Sequence, residues 1–361
     1  MSEERKMVLK MLDEGKISVD EAERILRALQ TQNEPDMDTS GQEDVNDVQS
    51  PSEFVDWERW EERKQSYKQQ SSGFKISQYI ENVIQKIRDV DFDLNFGSFE
   101  AVKHIFQDHT DDFNDIKIKV KNGSIELTPW KDNYVQIDCD AKVYRVQSSD
   151  EARQRFLNEV YFDIRHDELF FSCDARDIKV NATIYIPEKM YESIECKLFN
   201  GNGTGNALAA REIELKTVNG SLSFPQLLAQ QAGFETGNGT ITVSGEANRL
   251  DIETINGAID VKGMFRYVDA ESFSGAITTH LQHEGNVSLK STTSGIKVIV
   301  PKDVRVHGEL VSSIGSVQCE LHSFEVLHEK KDLAQRTLTF VSNKKAEDTL
   351  NIEANTKTGS I

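Results

Sequence analysis

The stretch "IELKTVNGSLSF" (213–224) alternates apolar and polar residues on either side of Asn219-Gly220, the pattern of strand, tight turn, strand. The same frame returns in "AGFETGNGTITV" (232–243), "LDIETINGAIDV" (250–261), "VDAESFSGAITT" (268–279), "VSLKSTTSGIKV" (287–298), "GELVSSIGSVQC" (308–319) and "IEANTKTGSI" (352–361). An isolated copy, "IKIKVKNGSIEL" (116–127), precedes them. The turn positions are 201, 220, 239, 257, 275, 294 and 315, steps of 19, 19, 18, 18, 19 and 21 residues, then 359 after an insertion. A period this short and this constant predicts a solenoid, because one such unit cannot bury its own apolar face and must stack on its neighbours.

The fold class expected is mainly β: a parallel β-solenoid, single-stranded β-helix-like, of about 19-residue repeats. Successive coils would lie about 4.8 Å apart, with Leu222, Ile241, Ile259, Ile277 and Ile296 forming an internal ladder. An antiparallel sandwich is the competing fold, but a sandwich has no reason to keep one glycine turn at constant period. Asn and Gly are expected at the corner for their tolerance of positive φ.

"NGNGTGN" (200–206), with Gly201, Gly203 and Gly205, invites comparison with a phosphate-cradling loop. The dinucleotide fingerprint is Gly-x-Gly-x-x-Gly opening a helix; here the third glycine comes one residue early and the chain soon returns to strand pattern. The segment is therefore read as the first turn of the stack, its two extra glycines permitting close backbone approach at the junction with the preceding region.

Several segments are expected around the stack. Residues 1–30 read as a small α-helical hairpin: Met7, Val8, Met11 and Leu12 share one face, Gly15 ends the helix, and Ser18 with Glu21 makes a capping box for the second. Residues 31–58 carry nine acidic residues and no basic one, a composition read as a disordered tether. Residues 59–112 read as an amphipathic helical segment and linker, with Ile76, Ile80, Val83, Ile84, Ile87 and Val90 on one face. Residues 113–199 form a strand-rich lead-in and N-terminal cap, with a short helix near "SDEARQRFLNEV" (149–160), and residues 200–361 form the solenoid, with an insertion at 323–348 covering the last coil before a final strand.

The net charge of −19 repels nucleic acid and anionic lipid headgroups. Cys139, Cys173, Cys196 and Cys319 are far apart and suggest neither a zinc ribbon nor a disulfide framework. The charged N-terminus lacks the apolar run of a signal peptide, so a cytoplasmic protein is expected, with peripheral membrane association through residues 74–96 as a further possibility. His280 and His283 share a face only on a helix, so in a strand they read as solvated histidines. Glu214, Glu235, Asp251, Glu253, Asp260, Asp269 and Glu271 read as a dispersed, solvated acidic face. No catalytic residue, cofactor or metal ligand is expected.

"MLDEGKISVDEAERILRAL" (11–29), "IYIPEKMYESIECKLFNGNG" (184–203), "KTVNGSLSF" (216–224) and "ETINGAIDV" (253–261) together resemble a bacterial family of adhesin-like β-strand-repeat proteins of the YvlB and LiaX type. The resemblance implies an accessory role in the cell-envelope stress response, with protein partners among its regulators and no catalytic residues to transfer. The function expected is a non-enzymatic interaction or scaffold protein, binding a partner through the solenoid surface and the N-terminal helices, with self-association through residues 1–30. The alternative is a carbohydrate-binding or carbohydrate-active protein using the acidic face.

Overall fold

The computed structural model describes residues 97–109, 113–332 and 335–361, all within the unit Gly73–Ile361. The hairpin at 1–30, the tether at 31–58 and the apolar stripe at 76–90 lie outside the described residues.

The lead-in contains β1 (Phe99–Asp108), β2 (Asp115–Asn122), β3 (Ile125–Trp130), β4 (Val135–Tyr144), α1 (Ser149–Glu159), β5 (Val160–Arg165), β6 (Glu168–Cys173) and β7 (Ile178–Pro187). The stack follows: β8 (Tyr191–Asn200), β9 (Gly203–Gly205), β10 (Leu208–Asn219), β11 (Leu222–Asn238), β12 (Ile241–Asn256), β13 (Ile259–Ser274), β14 (Ile277–Leu281), β15 (Gly285–Ser291), β16 (Ile296–Ile299) and β17 (Arg305–Ser312). The chain ends with β18 (Phe324–Lys331), β19 (Arg336–Ser342) and β20 (Thr349–Thr356).

Each coil runs up one side, turns at the Asn-Gly corner and starts down the other. Before the corner, β2, β8, β10, β11, β12, β13, β15, β20 and β17 pair in parallel, in that order. After it, β7, β3, β9, β11, β12, β13, β14 and β16 do the same. The inward residues of both sides form one core, and across it the rings of Phe224 and Phe234 stand 5.2 Å apart. The expected ladder is present: Leu222, Ile241, Ile259, Ile277 and Ile296 are register partners in sequence, and all five are buried.

The corner glycines are required by stacking at each level, and at Gly123, with φ of 130°, by backbone conformation as well. A Cβ on Gly257 would lie 1.8 Å from the carbonyl oxygen of Gly239 in the preceding coil, and the same conflict recurs from coil to coil. The asparagines beside them do not have positive φ. Instead their side-chain amides form a ladder: Asn200 donates to Asn122 at 2.9 Å, Asn219 to Asn200 at 2.9 Å, Asn238 to Asn219 at 2.8 Å and Asn256 to Asn238 at 2.9 Å. The last three links step 19, 19 and 18 residues along the chain.

The Thr/Ser slot of the frame has an equally direct cause. Its hydroxyl points inward and donates to the corner carbonyl one coil back, as in Thr217 to Gly201 at 3.0 Å, Thr236 to Gly220 at 2.8 Å and Ser272 to Gly257 at 3.2 Å. A buried polar position is thereby satisfied at each level.

Three features depart from the expected layout. Residues 99–108, assigned above to the helical segment 59–112, form strand β1, paired along its whole length with β4. Phe99, Val102, Ile105 and Phe106 have the spacing of a helix face, but the pairing with β4 makes the segment a strand whose burial alternates, with Val102 buried and Phe106 turned toward Phe156 of α1. Second, the insertion covers the last strand of the stack, β17, by joining the sheet rather than as an irregular cap. β19 pairs antiparallel with β17 and β18 with β19, so the hairpin extends the sheet. Third, β20 is not the final strand of the stack but lies between β15 and β17. A repeat unit carries its own pairing pattern, so its slot is set by which edges are free and not by its order in sequence.

α1 stands where a helix is expected. The Ser148 hydroxyl accepts from the Glu151 amide at 3.2 Å, the Glu151 carboxylate accepts from the Gln147 amide at 2.8 Å, and Ala152 and Phe156 are buried against the lead-in.

Candidate functional site

The glycine-rich segment 200–206 is a corner and not an anion cradle. The Gly201 amide donates to the Asn219 carbonyl at 2.9 Å and that of Gly203 to the Ser221 carbonyl at 3.0 Å, so these amides are committed to the next coil. No close backbone approach occurs at the two extra glycines. A Cβ on Gly203 would meet Leu222 Cδ2 at 2.9 Å and one on Gly205 would meet Phe224 Cε1 at 2.7 Å, so larger side chains of the following coil fill the space.

His280 lies in β14, and His283 beyond it is exposed. Among the described residues no group of three or more His, Cys, Asp or Glu is placed to hold a metal ion. Cys139, Cys173 and Cys196 are buried, and desolvation pushes their thiols up to about 12, 11 and 12. At neutral pH these are protonated core residues rather than nucleophiles.

The carboxylates do not form a uniformly solvated face. Glu235 and Glu271 are buried, and lysines from neighbouring coils interleave with them. Lys216 lies 3.8 Å from Glu235 and also pairs with Glu214; Lys290 donates to Glu271 at 2.8 Å; Lys197 pairs with Glu195. Sequence periodicity places these residues on the outer face but cannot show that opposite charges fall at adjacent levels until the register is known.

Toward the C-terminal end of the stack the outer surface opens into a groove of about 390 Å³. One wall is a ladder contributed by five neighbouring strands: Arg249, Tyr267, Asn286, Asn351 and His307. Beside it runs a second ladder of Asp269, Ser288, Glu353 and Glu309. Tyr267 is 43 % exposed. Asn351 donates to Asn286 at 3.0 Å, and Arg249 makes a double hydrogen bond to Asp251, both at 2.8 Å, which fixes its guanidinium at the end of the row. The groove therefore offers an aromatic ring, amides and three carboxylates on strands that are paired on both sides. It is invisible in sequence order, because Asn351 and Glu353 enter it from the displaced strand β20.

Residues 113–361, most of the chain, match the Toastrack DUF4097 family. The chain belongs to the Toastrack family. Residues 3–34 match the SHOCT-like domain. A curated Toastrack relative, YvlB of Bacillus subtilis (strain 168), is 34 % identical over 380 residues, covering 100 % of this chain and 98 % of its own length. Solved structures similar to this Toastrack chain include a candidate adhesin of Bacteroides fragilis (14 % identity, TM-score 0.39) and a candidate cell adhesion protein of Clostridium sporogenes (11 % identity, TM-score 0.27). Each comparison covers 73 % of this chain and 98 % of the other.

The charge ladder gives the Toastrack stack a measurable pH dependence. Burial alone would raise the pKa of Glu195, but the hydrogen bond from Lys197 and the charges of Lys197, Lys117 and Lys119 hold it below the ordinary carboxylate value. A folded-state pKa that is depressed contributes stability above the unfolded value and loses it as pH falls through the folded one. Glu195→Gln is expected to lower stability at pH 7 and to show a smaller further loss below about pH 4 than the native chain. Urea midpoints at pH 7, 5 and 3 test this; two parallel curves would refute it.

Proposed function

We propose that this protein is a non-enzymatic binding scaffold of the bacterial cell-envelope stress response, working in the cytoplasm and taking a protein partner on its outer groove. The observation that carries this reading is the convergence of two polar ladders from five neighbouring strands on one groove, with Tyr267 exposed among them. A stack whose backbone is paired at each level is rigid, so a partner that fits the groove meets a preorganised surface. Exposed tyrosine with neighbouring carboxylates and amides is the composition of an interaction hot spot. Three carboxylates favour a partner that supplies lysine, arginine and amide donors. Among the described residues no helix is long and apolar enough to cross a membrane. Residues 1–30 and 74–96 are assigned the proposed scaffold's second contact, with a partner or a membrane surface.

The test is recovery of partners from cells under envelope stress with the full chain and with Tyr267→Ala/Glu353→Lys. The double variant is expected to lose at least about tenfold of a specific partner, on the scale of a hot-spot truncation. Equal recovery by both proteins would sink the groove as the seat. Retention on cell-wall glycan, lost in the same variant, would replace the protein partner with a carbohydrate.

A further inference from the structure

Strand β18, "FEVLHEKK", ends the sheet. Among the described residues it pairs with β19 alone, so its other edge presents a row of backbone amides and carbonyls with no neighbouring strand. All eight residues are exposed, including Phe324 at 37 %, Val326 at 45 % and Leu327 at 52 %. An open edge carrying apolar side chains is a template for another strand.

We propose that this edge pairs with itself, joining two copies of the chain through antiparallel β18–β18 pairing. Charge selects the second copy as occupant. Copies of a chain with a net charge of −19 repel one another, so only a locally neutral edge lets them approach. On β18, Glu325 and Glu329 are balanced by Lys330 and Lys331, and the strand begins acidic and ends basic. Antiparallel self-pairing sets the beginning of one strand against the end of the other.

The irregularity between Val326 and His328 fixes which residues meet. Glu325, His328 and Lys330 lie opposite Val341, Thr339 and Thr337 of β19, with Leu327 as the extra, bulged residue. Glu325 and Lys330 are thus two ladder steps on either side of His328. With His328 on the two-fold axis, Glu325 of each copy faces Lys330 of the other, giving two opposite-charge cross-strand pairs. A single eight-residue pairing makes a weak, reversible dimer. The competing expectation is that the bulge and the lysines keep the edge isolated, and then the chain is a monomer at this end.

Charge exchange in the full chain distinguishes the two. Assembly would be followed by sedimentation from about 1 to 100 μM, with native mass spectrometry of mixtures. Glu325→Lys alone and Lys330→Glu alone are each expected to weaken self-association at least about tenfold, on the scale of losing two cross-strand charge pairs. The double variant, and an equimolar mixture of the two single variants, are expected to restore it, the mixture as heterodimer. Glu325 and Lys330 also pair within the chain, with Lys344 at 2.6 Å and Asp332 at 2.8 Å, but these contacts are exposed, so melting temperatures should not change and serve as the control. Native protein that stays monomeric throughout, or single variants that assemble as the native chain does, would overturn the proposal; the second result would place self-association elsewhere, such as residues 1–30.

Discussion

Gly257→Ala is expected to disrupt the stack at its centre, lowering stability by more than about 3 kcal/mol and the melting temperature by about 10 °C. The added Cβ would lie 1.8 Å from the Gly239 carbonyl oxygen, 2.5 Å from its carbon and 3.2 Å from the Thr240 amide nitrogen. All are backbone atoms, which cannot rotate away as a flexible side chain can. The coils cannot separate to make room, because the Ile241 amide is bound to the Ala258 carbonyl at 2.9 Å and Asn256 to Asn238 at 2.9 Å, one on either flank of the corner. Gly233→Ala is the matched control. The nearest atom to its Cβ would be the Ile213 carbonyl oxygen at 3.9 Å, so this change is expected to be neutral or to stabilise by about 0.5 kcal/mol through reduced freedom of the unfolded chain. Thermal and urea melts of the two variants decide the matter; if they melt alike, stacking distance is not what the corner glycine protects.

The second large effect concerns Phe224 and Gly205. Phe224 is fully buried, its ring stands 5.2 Å from that of Phe234, and it occupies the space that a side chain at 205 would take. Phe224→Ala should cost about 4 kcal/mol, because the cavity borders a coil with no side chain to collapse into it. Gly205→Val alone should also destabilise, through overlap with the ring and with Leu208. Combining Gly205→Val with Phe224→Val moves bulk from one level of the ladder to the next. The pair is expected to be less destabilising than the sum of the single changes by at least about 1 kcal/mol. A urea denaturation cycle measures that coupling, and strict additivity would show that the two positions do not share the space.

The repeat was legible because the tightest constraint in the fold falls on the most conspicuous residue. Most corner positions cannot take a Cβ without a clash, so the glycine period stands out against variable neighbours even though Ser294 fills one slot. The aliphatic ladder follows from the same period. The left-handed glycines Gly245 and Gly263, with φ of 139° and 148°, were not legible, since two such positions set no period. The corner asparagines were seen, but as turn residues; that their amides connect coils becomes apparent only in register. β1 was read through the helical run before it, because its apolar residues keep helical spacing and only their burial, set by pairing with β4, alternates. The groove was least legible, since the strands that build it are not consecutive and Asn351 lies 65 residues from its hydrogen-bond partner Asn286.

Placement of β20 between β15 and β17 also bears on the order of synthesis. The coils through β15 can stack as they leave the ribosome, each on the one before. β17 cannot join them in the same way, because its place beside β15 is taken by residues made some 40 positions later. A nascent chain that stops before residue 349 therefore has β15 without its outer neighbour and β17 without its inner one. Closure of this end of the molecule thus reports on translation itself: the outermost strands attach to the stack only once the ribosome has delivered the strand that lies between them.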